Sequence, residues 1–180
     1  MARIEIPTLA TPRLILRALR VDDLDPFAAM NANPEVVRYL GTGQTGTRAQ
    51  TWDQMARMLG QWDLRGYGVF AVVEAASSRF IGRSGILHPL AWPEPELAYG
   101  LDQPYWGKGY ATESAIAIRD WAFSAFGFAH LASFIRPDNA ASAGVLRRMG
   151  AVRTGTITLL GGEAERWEHT ADGTAAPARA

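Results

Sequence analysis

Hydrophobic and polar positions change their period several times along the chain. RLILRAL, Arg13 to Leu19, alternates Leu14, Leu16 and Ala18 with Ile15 and Arg17, a period of two that predicts a strand. DDLDPFAAM then opens a helix, with Asp22 as the expected cap and acidic residues suiting the positive end of the helix. From Thr47 to Gly66 the apolar residues Trp52, Met55, Met58, Leu59 and Trp62 recur at helical spacing. That stripe reads as core packing or, less commonly, as the lining of a substrate pocket. The period then shortens again. Gly68 to Glu74 and Arg79 to Leu90 predict paired strands joined by the polar turn AASS, and Glu96 to Leu101 (ELAYGL) a third strand after the Pro-rich WPEPE.

The second half repeats this grammar. ATESAIAIRDWAFSAFGF spaces Ala115, Ile118, Ala122 and Phe126 for a helix that stops near Gly127. HLASFI predicts a strand, and PDNAASAGVLRRMGA a short helix ended by Gly150. RTGTITLL and EAERWEHT predict two closing strands joined by a Gly-Gly turn. The order implies an α/β domain of three layers, a mixed, mostly antiparallel sheet of about six or seven strands flanked by helices. We expect one domain over residues 10–170 and a loose tail over 171–180, where ADGTAAPARA is small and polar.

Composition narrows the chemistry. Eighteen basic residues balance eighteen acidic ones, so nothing global points to a nucleic-acid partner. The chain has no cysteine, which removes disulfides, thiolate nucleophiles and cysteine-based metal sites. Only three histidines, His88, His130 and His169, are present, and they are scattered, so no metal centre is expected. No apolar run approaches the roughly 20 residues of a membrane helix, and MARIEIPTL lacks the layout of a signal peptide. A cytoplasmic protein without a membrane partner, monomer or homodimer, is the expectation.

One stretch asks for a ligand. In QPYWGKGYATES, Gly107 and Gly109 give a bare backbone ahead of a helix whose first amides lack acceptors, a setting that takes phosphate oxygens, with Lys108 adding a charge. A tight loop before a helix explains the same residues equally well. Neither GxxxxGK[ST] nor a GxGxxG after an early strand is present, so a phosphate would need another scaffold.

WGKGYATESA, preceded by ELAYGL and followed by RPDNAASAGVLRRMGA, resembles the GCN5-related N-acetyltransferase family. TPRLILRALRVDDLD, Thr11 to Asp25, resembles its ribosomal-protein alanine acetyltransferase-like branch. The resemblance covers about residues 10 to 170 and rests on the order and spacing of the blocks. It implies the acyl-coenzyme-A N-acyltransferase fold and acetyl coenzyme A as acetyl donor. The acceptor it implies is a primary amine, on a small molecule or a protein N-terminus. The pyrophosphate would rest on amides of Gly107, Lys108, Gly109, Tyr110, Ala111 and Thr112. Gly109 and Ala111 match the last two specified positions of the family's (Gln/Arg)-x-x-Gly-x-(Gly/Ala) turn, and Trp106 replaces the first. The strand at Leu97, Tyr99 and Leu101 would pair with the pantetheine arm, admitted by a splay between that strand and HLASFI. Asn139 matches a family asparagine near the cofactor, although a turn or cap role suits it too.

Amine acetylation needs a neutral amine, a place for the departing thiolate and a site for the developing oxyanion. By the resemblance, Glu96 is the candidate base; anchoring the amine, or a structural role, is its alternative. Ser142 matches the serine of the branch's Asn-x-x-Ser element, where it can face the leaving sulfur or simply start a helix. The family tyrosine further along that helix is Leu146 here. Gly161 stands near the position of a late-strand glutamate, and the displaced Glu163 receives no catalytic role. The absent cysteine favours direct transfer in a ternary complex. Trp52, Trp62, Tyr67, Trp92 and Tyr105 are candidate pocket walls; His88 can touch substrate, and His130 reads as structural. A noncatalytic acyl-coenzyme-A-binding regulatory domain is the rival reading.

Overall fold

The run VFAVVE has no polar face because its strand is covered on both sides. The computed structural model describes residues 5–171 and orders the chain as β1 (Leu9–Ala10), β2 (Leu14–Arg17), α1 (Leu24–Ala32), α2 (Pro34–Val37), α3 (Arg48–Arg65), β3 (Val69–Glu74), β4 (Arg79–Leu87) and β5 (Glu96–Leu101). There follow α4 (Tyr110–Phe126), β6 (Leu131–Ile135), α5 (Ala140–Arg148), β7 (Val152–Leu159) and β8 (Gly162–His169). The strands form one sheet in the order β1-β2-β3-β4-β5-β6-β8-β7. All neighbours are antiparallel except β5 and β6.

Along β3, Val69 and Ala71 enter a cluster with Leu24, Phe27, Met30, Met55 and Met58, while Phe70 and Val72 enter a larger cluster with Ile118, Leu131 and Leu146. Thus α1 and α3 cover one face and α4 and α5 the other, the three layers read from the order of elements. The expected sheet class holds. The count rises to eight strands because the two-residue β1 pairs with β2, too short to leave a periodic signal.

Helix ends follow local chemistry. Thr47 and Gln50 form a reciprocal capping box at the start of α3, and Gly66 ends it at φ 77°. Asp22 does not cap α1. Instead Asp23, almost fully buried, accepts from the Arg20 amide (2.8 Å) and from both terminal nitrogens of Arg17 (2.7 and 2.8 Å), tying a short 3-10 turn to β2. The β7–β8 hairpin turns at Leu160 and Gly161, both with positive φ (50° and 75°), as a two-residue turn of this hand requires. The tail expected over 171–180 lies, from residue 172 onward, outside the described residues.

Of the apolar stripe on α3, Met55, Met58 and Trp62 are buried and Trp52 is half exposed. Trp62 packs edge-on against Phe70 (4.9 Å between ring centroids), and its indole N–H donates to the Val69 carbonyl (3.0 Å). In α4 the residues Ala115, Ile118 and Ala122 are fully buried, whereas Phe126 sits at the rim beside Trp121, Tyr67 and Phe128.

The floor of Trp62 is Gly68, where a Cβ would lie 2.7 Å from two indole atoms. Gly68→Ala is therefore expected to destabilise the protein by about 1–3 kcal/mol through overpacking. Gly60, inside α3 with open space around its Cα, behaves oppositely, and Gly60→Ala is expected to stabilise by up to about 1 kcal/mol. Denaturant unfolding of both variants beside the parent checks the opposite signs.

Candidate active site

β5 and β6 run parallel, joined through α4, and pair at only one position, Glu96 with Ala132. There the Ala132 amide donates to the Pro95 carbonyl (3.2 Å). In a regular parallel ladder the next bond would run from the Phe134 amide to the Leu97 carbonyl. Both groups have other partners here. The Phe134 amide donates to the Glu96 carboxylate, and the Leu97 carbonyl accepts from the Ser133 hydroxyl (2.6 Å). Side chains satisfy the two buried backbone groups, so the strands part without leaving either unpaired. His169 completes the arrangement: its Nε2 lies 2.9 Å from Ser133 Oγ. Because the serine proton goes to Leu97, the imidazole N–H must donate to the serine, leaving Nδ1 as an acceptor. Burial, with a smaller push from Arg119, lowers the His169 pKa to about 4, so the ring is neutral at physiological pH.

The side chain of Glu96 is buried at the point where the strands separate. Trp92 Nε1 donates to Glu96 Oε2 at 2.6 Å. Desolvation raises the carboxyl pKa to about 7; the bonds from Trp92 and the Phe134 amide, and the charge of Arg83, oppose the rise without cancelling it. The group is thus poised between acid and base near neutrality.

Tyr99 crosses from β5 to α5. Its hydroxyl lies 3.0 Å from Ser142 Oγ, and burial, the leading cause, pushes its pKa up to about 12, so the phenol stays protonated. Asn139 Oδ1 accepts from the Ser142 amide (3.1 Å), the helix-capping geometry that was its alternative role. Glu96, Leu97, Tyr99, Asn139 and Ser142 all line one cavity of about 1150 Å³, which Trp92 and His88 also border. His88 Nδ1 is bonded to the Tyr67 hydroxyl (2.7 Å). His130, just before β6, is exposed and faces Glu168, and among the other aromatic candidates Trp62 and Tyr67 belong to the core and Trp52 to a different surface.

The glycine turn forms a second cluster beyond the end of β5. Gly107 and Gly109 have φ of 73° and 81°, values that favour glycine. The first α4 bond runs from the Glu113 amide to the Gly109 carbonyl (3.0 Å), so the amides of Tyr110, Ala111 and Thr112 have no helical acceptor. A Cβ on Gly107 would meet nothing within 4 Å, so the loop is open to an approaching group. The amides, open approach and nearby cations fit a phosphate. Lys108 Nζ stands over the Tyr105 ring at 5.3 Å, and Arg148 Nε reaches Thr112 Oγ1 at 3.3 Å. Leu101 differs from its neighbours: its carbonyl accepts from Trp106 Nε1 (2.7 Å), so only the amide of that residue remains for a ligand.

Sequence reading missed three parts of this assembly. Arg13 bridges β2 and the turn, bonding Glu113 Oε2 (2.6 Å) and the Lys108 carbonyl (2.8 Å), with its guanidinium 4.6 Å from the Tyr110 ring centroid. From sequence Trp92 reads only as a wall, although its position four residues before Glu96, across the two prolines of WPEPE, signals that the turn folds it back. Arg83 was not singled out, yet it is the one charged residue within FIGRSGIL. Among the described residues no group of His, Cys, Asp and Glu is arranged to hold a metal ion.

These features coincide with a family match. Residues 13–152 match the acetyltransferase (GNAT) domain, and the chain belongs to that family. Acyl transfer from acetyl coenzyme A is therefore its general class of chemistry. An acetyltransferase from Agrobacterium tumefaciens is 32% identical and superposes with a TM-score of 0.83, covering 92% of this chain and 95% of that one. The "Uncharacterized N-acetyltransferase p20" of Bacillus licheniformis is 26% identical over 83% of this chain and 85% of its own length. A ribosomal L7/L12 alpha-N-protein acetyltransferase, solved in complex with coenzyme A, shares the fold at 17% identity, with a TM-score of 0.78 over 93% of this chain and 99% of that one.

Because the folded pKa of Glu96 is raised to about 7, its ionisation weakens the fold as pH climbs through 7 and leaves it unaffected below the ordinary carboxylate range. Glu96→Gln keeps an oxygen acceptor for Trp92 and Phe134 while removing the charge. Its melting temperature is expected to match the parent at pH 4 and exceed it at pH 9, checked by thermal unfolding at both pH values.

Proposed function

We propose that the chain transfers the acetyl group of acetyl coenzyme A to a primary amine by direct attack within a ternary complex. The observation that carries this reading is Glu96: a carboxylate with a near-neutral pKa, buried where the sheet splits and facing a roomy cavity. In the proposed step Glu96 takes a proton from the amine as its nitrogen bonds to the acetyl carbon, and the carbon–sulfur bond breaks. The Ser142 hydroxyl, backed by the protonated Tyr99, orients the departing thiolate and supplies its proton, which the serine regains from solvent as the products leave. The chain has no cysteine to carry an acetyl intermediate.

Donor binding divides between the two clusters. Carbonyl direction alternates along a strand, so the amide and carbonyl of Tyr99 face the same edge as the Leu97 carbonyl, where β6 has already diverged. We assign that edge, with the Leu101 amide, to the pantetheine arm, and the amides from Gly107 to Thr112 with Lys108 to the pyrophosphate. Asn139 positions Ser142 and thereby the thiol end. We retain residues 10–170 as the catalytic domain, with a cytoplasmic setting and the ribosomal-protein alanine acetyltransferase-like branch. The acceptor is an amine on a small molecule or a protein N-terminus. The open acceptor-side cavity speaks against the noncatalytic reading, which would fill it.

The direct test is release of free thiol from acetyl coenzyme A against a panel of peptides, aminoglycosides and polyamines. Amine-dependent release is expected, and its absence with every acceptor overturns the proposal. With the best acceptor, the parent rate should rise with pH through about 7 and then level, since the base works deprotonated. Glu96→Gln should lose that limb and about 10²–10⁴ in turnover, with donor affinity nearly unchanged. Ser142→Ala should cost less, because water can protonate the thiolate.

Gly109→Val places a branched side chain on the turn. It should raise the coenzyme A dissociation constant at least about tenfold by disturbing a charge-assisted hydrogen bond. Calorimetry on the folded variant, verified by circular dichroism, measures this; unchanged affinity would move the phosphate site elsewhere.

A further inference from the structure

Among the described residues Arg83 is a buried cation with no ion-pair or hydrogen-bond partner. It lies on β4 opposite Gly100 of β5, and its guanidinium makes no ion pair with any described residue. Its Nε and Nη1 atoms are buried with no hydrogen-bond acceptor, and the whole residue is 7% exposed. An arginine keeps its proton inside a protein, so the charge persists and its donors stand ready for an anion. A buried group of this kind is costly unless something completes it.

The place of Arg83 says what would complete it. On β5 the face that carries Glu96 continues as Ala98 and Gly100, and in register it lies beside Leu87, Gly85 and Arg83. Between Arg83 and Glu96, Ala98 presents only a methyl group, while the side chains of Leu40 and Met30 cover Gly100. The two groups sense each other's charge, since Arg83 opposes the pKa rise of Glu96, yet they form no ion pair among the described residues. Both line the cavity proposed for the acceptor. That wall is rich in cations, with Arg57, Arg65, Arg83 and Arg136 against Asp53 and Glu96. The glycine turn does not line it, so the donor's phosphates, on the proposed placement, do not answer Arg83.

We propose that Arg83 is the acceptor-recognition residue and that the acceptor is an amine bearing a carboxylate, with the amine presented to Glu96 and the carboxylate to the Arg83 guanidinium. Arginine's fork matches a carboxylate with two parallel hydrogen bonds, while the same site rejects a polyamine by repulsion. The carboxylate can belong to a free amino acid or to an acidic residue near a peptide N-terminus; the chemistry is shared. This deepens the acetyltransferase reading and rests on it.

The test compares matched pairs under the thiol-release assay: free amino acids with their carboxamides, and short peptides with an acidic second residue with the same peptides amidated there. The acid member of at least one pair should have a kcat/KM at least about tenfold higher, chiefly through KM. Whichever source shows the ratio identifies the natural form of the acceptor. In Arg83→Met the ratio should fall to about one, and in Arg83→Lys, which keeps charge without the fork, it should survive in part. Equal rates for acid and amide in every pair, or a ratio that persists in Arg83→Met, overturn the inference while leaving amine acetylation intact. Calorimetry of N-acetylated acids and amides, with coenzyme A present, reads the same preference without turnover. If no amine releases thiol, that binding comparison alone decides for Arg83, and equal affinities for acid and amide sink it. Should Arg83→Met not fold, Arg83→Lys and the parent pairs carry the comparison.

Discussion

The structure depends on one broken ladder. Where β5 and β6 would exchange their second parallel hydrogen bond, the Glu96 carboxylate takes the Phe134 amide and the Ser133 hydroxyl takes the Leu97 carbonyl. A sheet cannot open in its interior if the opening leaves backbone groups bare, because each would cost about 1–3 kcal/mol. Side-chain replacement removes that obstacle at the one point where it matters. His169, held neutral by burial and donating to Ser133, fixes the direction of the hydroxyl. One carboxylate therefore serves as a structural wedge and as the titrating group at the mouth of the split.

The rest of the fold holds this opening in place. α4 carries the chain from β5 to the parallel β6, and its N-terminus is pinned to β2 by Arg13 and Glu113, with Thr11 adding a bond of 2.6 Å. The turn is thereby fixed relative to the sheet edge, so a ligand lying along β5 meets rigid amides at its far end. On the opposite face α1 and α3 support a cavity that α4 does not reach. The cavity also takes in Tyr99, Asn139 and Ser142, so the donor and acceptor sides meet at the split, with Glu96 at their junction.

Periodicity made most of the fold legible. The shift from alternation in RLILRAL to helical spacing across Trp52, Met55, Met58 and Trp62, and back to VFAVVE, placed the main elements because each buries one face or both. It did not show β1, two residues long, nor α2, a single turn started by Pro34 and capped by Asn33. At α1 the sequence offered two adjacent aspartates, and only the tertiary partner Arg17 decides that Asp23 is the buried one. At the site, Glu96, Tyr99, Ser142 and the glycines were visible through the order of family-like blocks. Their mutual geometry was not, since the Tyr99–Ser142 bond spans 43 residues and the Arg13 clamp about a hundred. Arg83 carried a signal, a lone charge in a strand of small and apolar residues, but burial without a partner is a property of the folded state alone.

Amide hydrogen exchange with and without coenzyme A tests the central claim most directly, because it reads the backbone groups that the split leaves open. Binding should slow exchange within Leu97–Leu101 and at Tyr110, Ala111 and Thr112, while the β7–β8 hairpin is unchanged. Protection confined to other segments, with these two stretches exchanging as before, would contradict the account of the opened strand edge as the donor site.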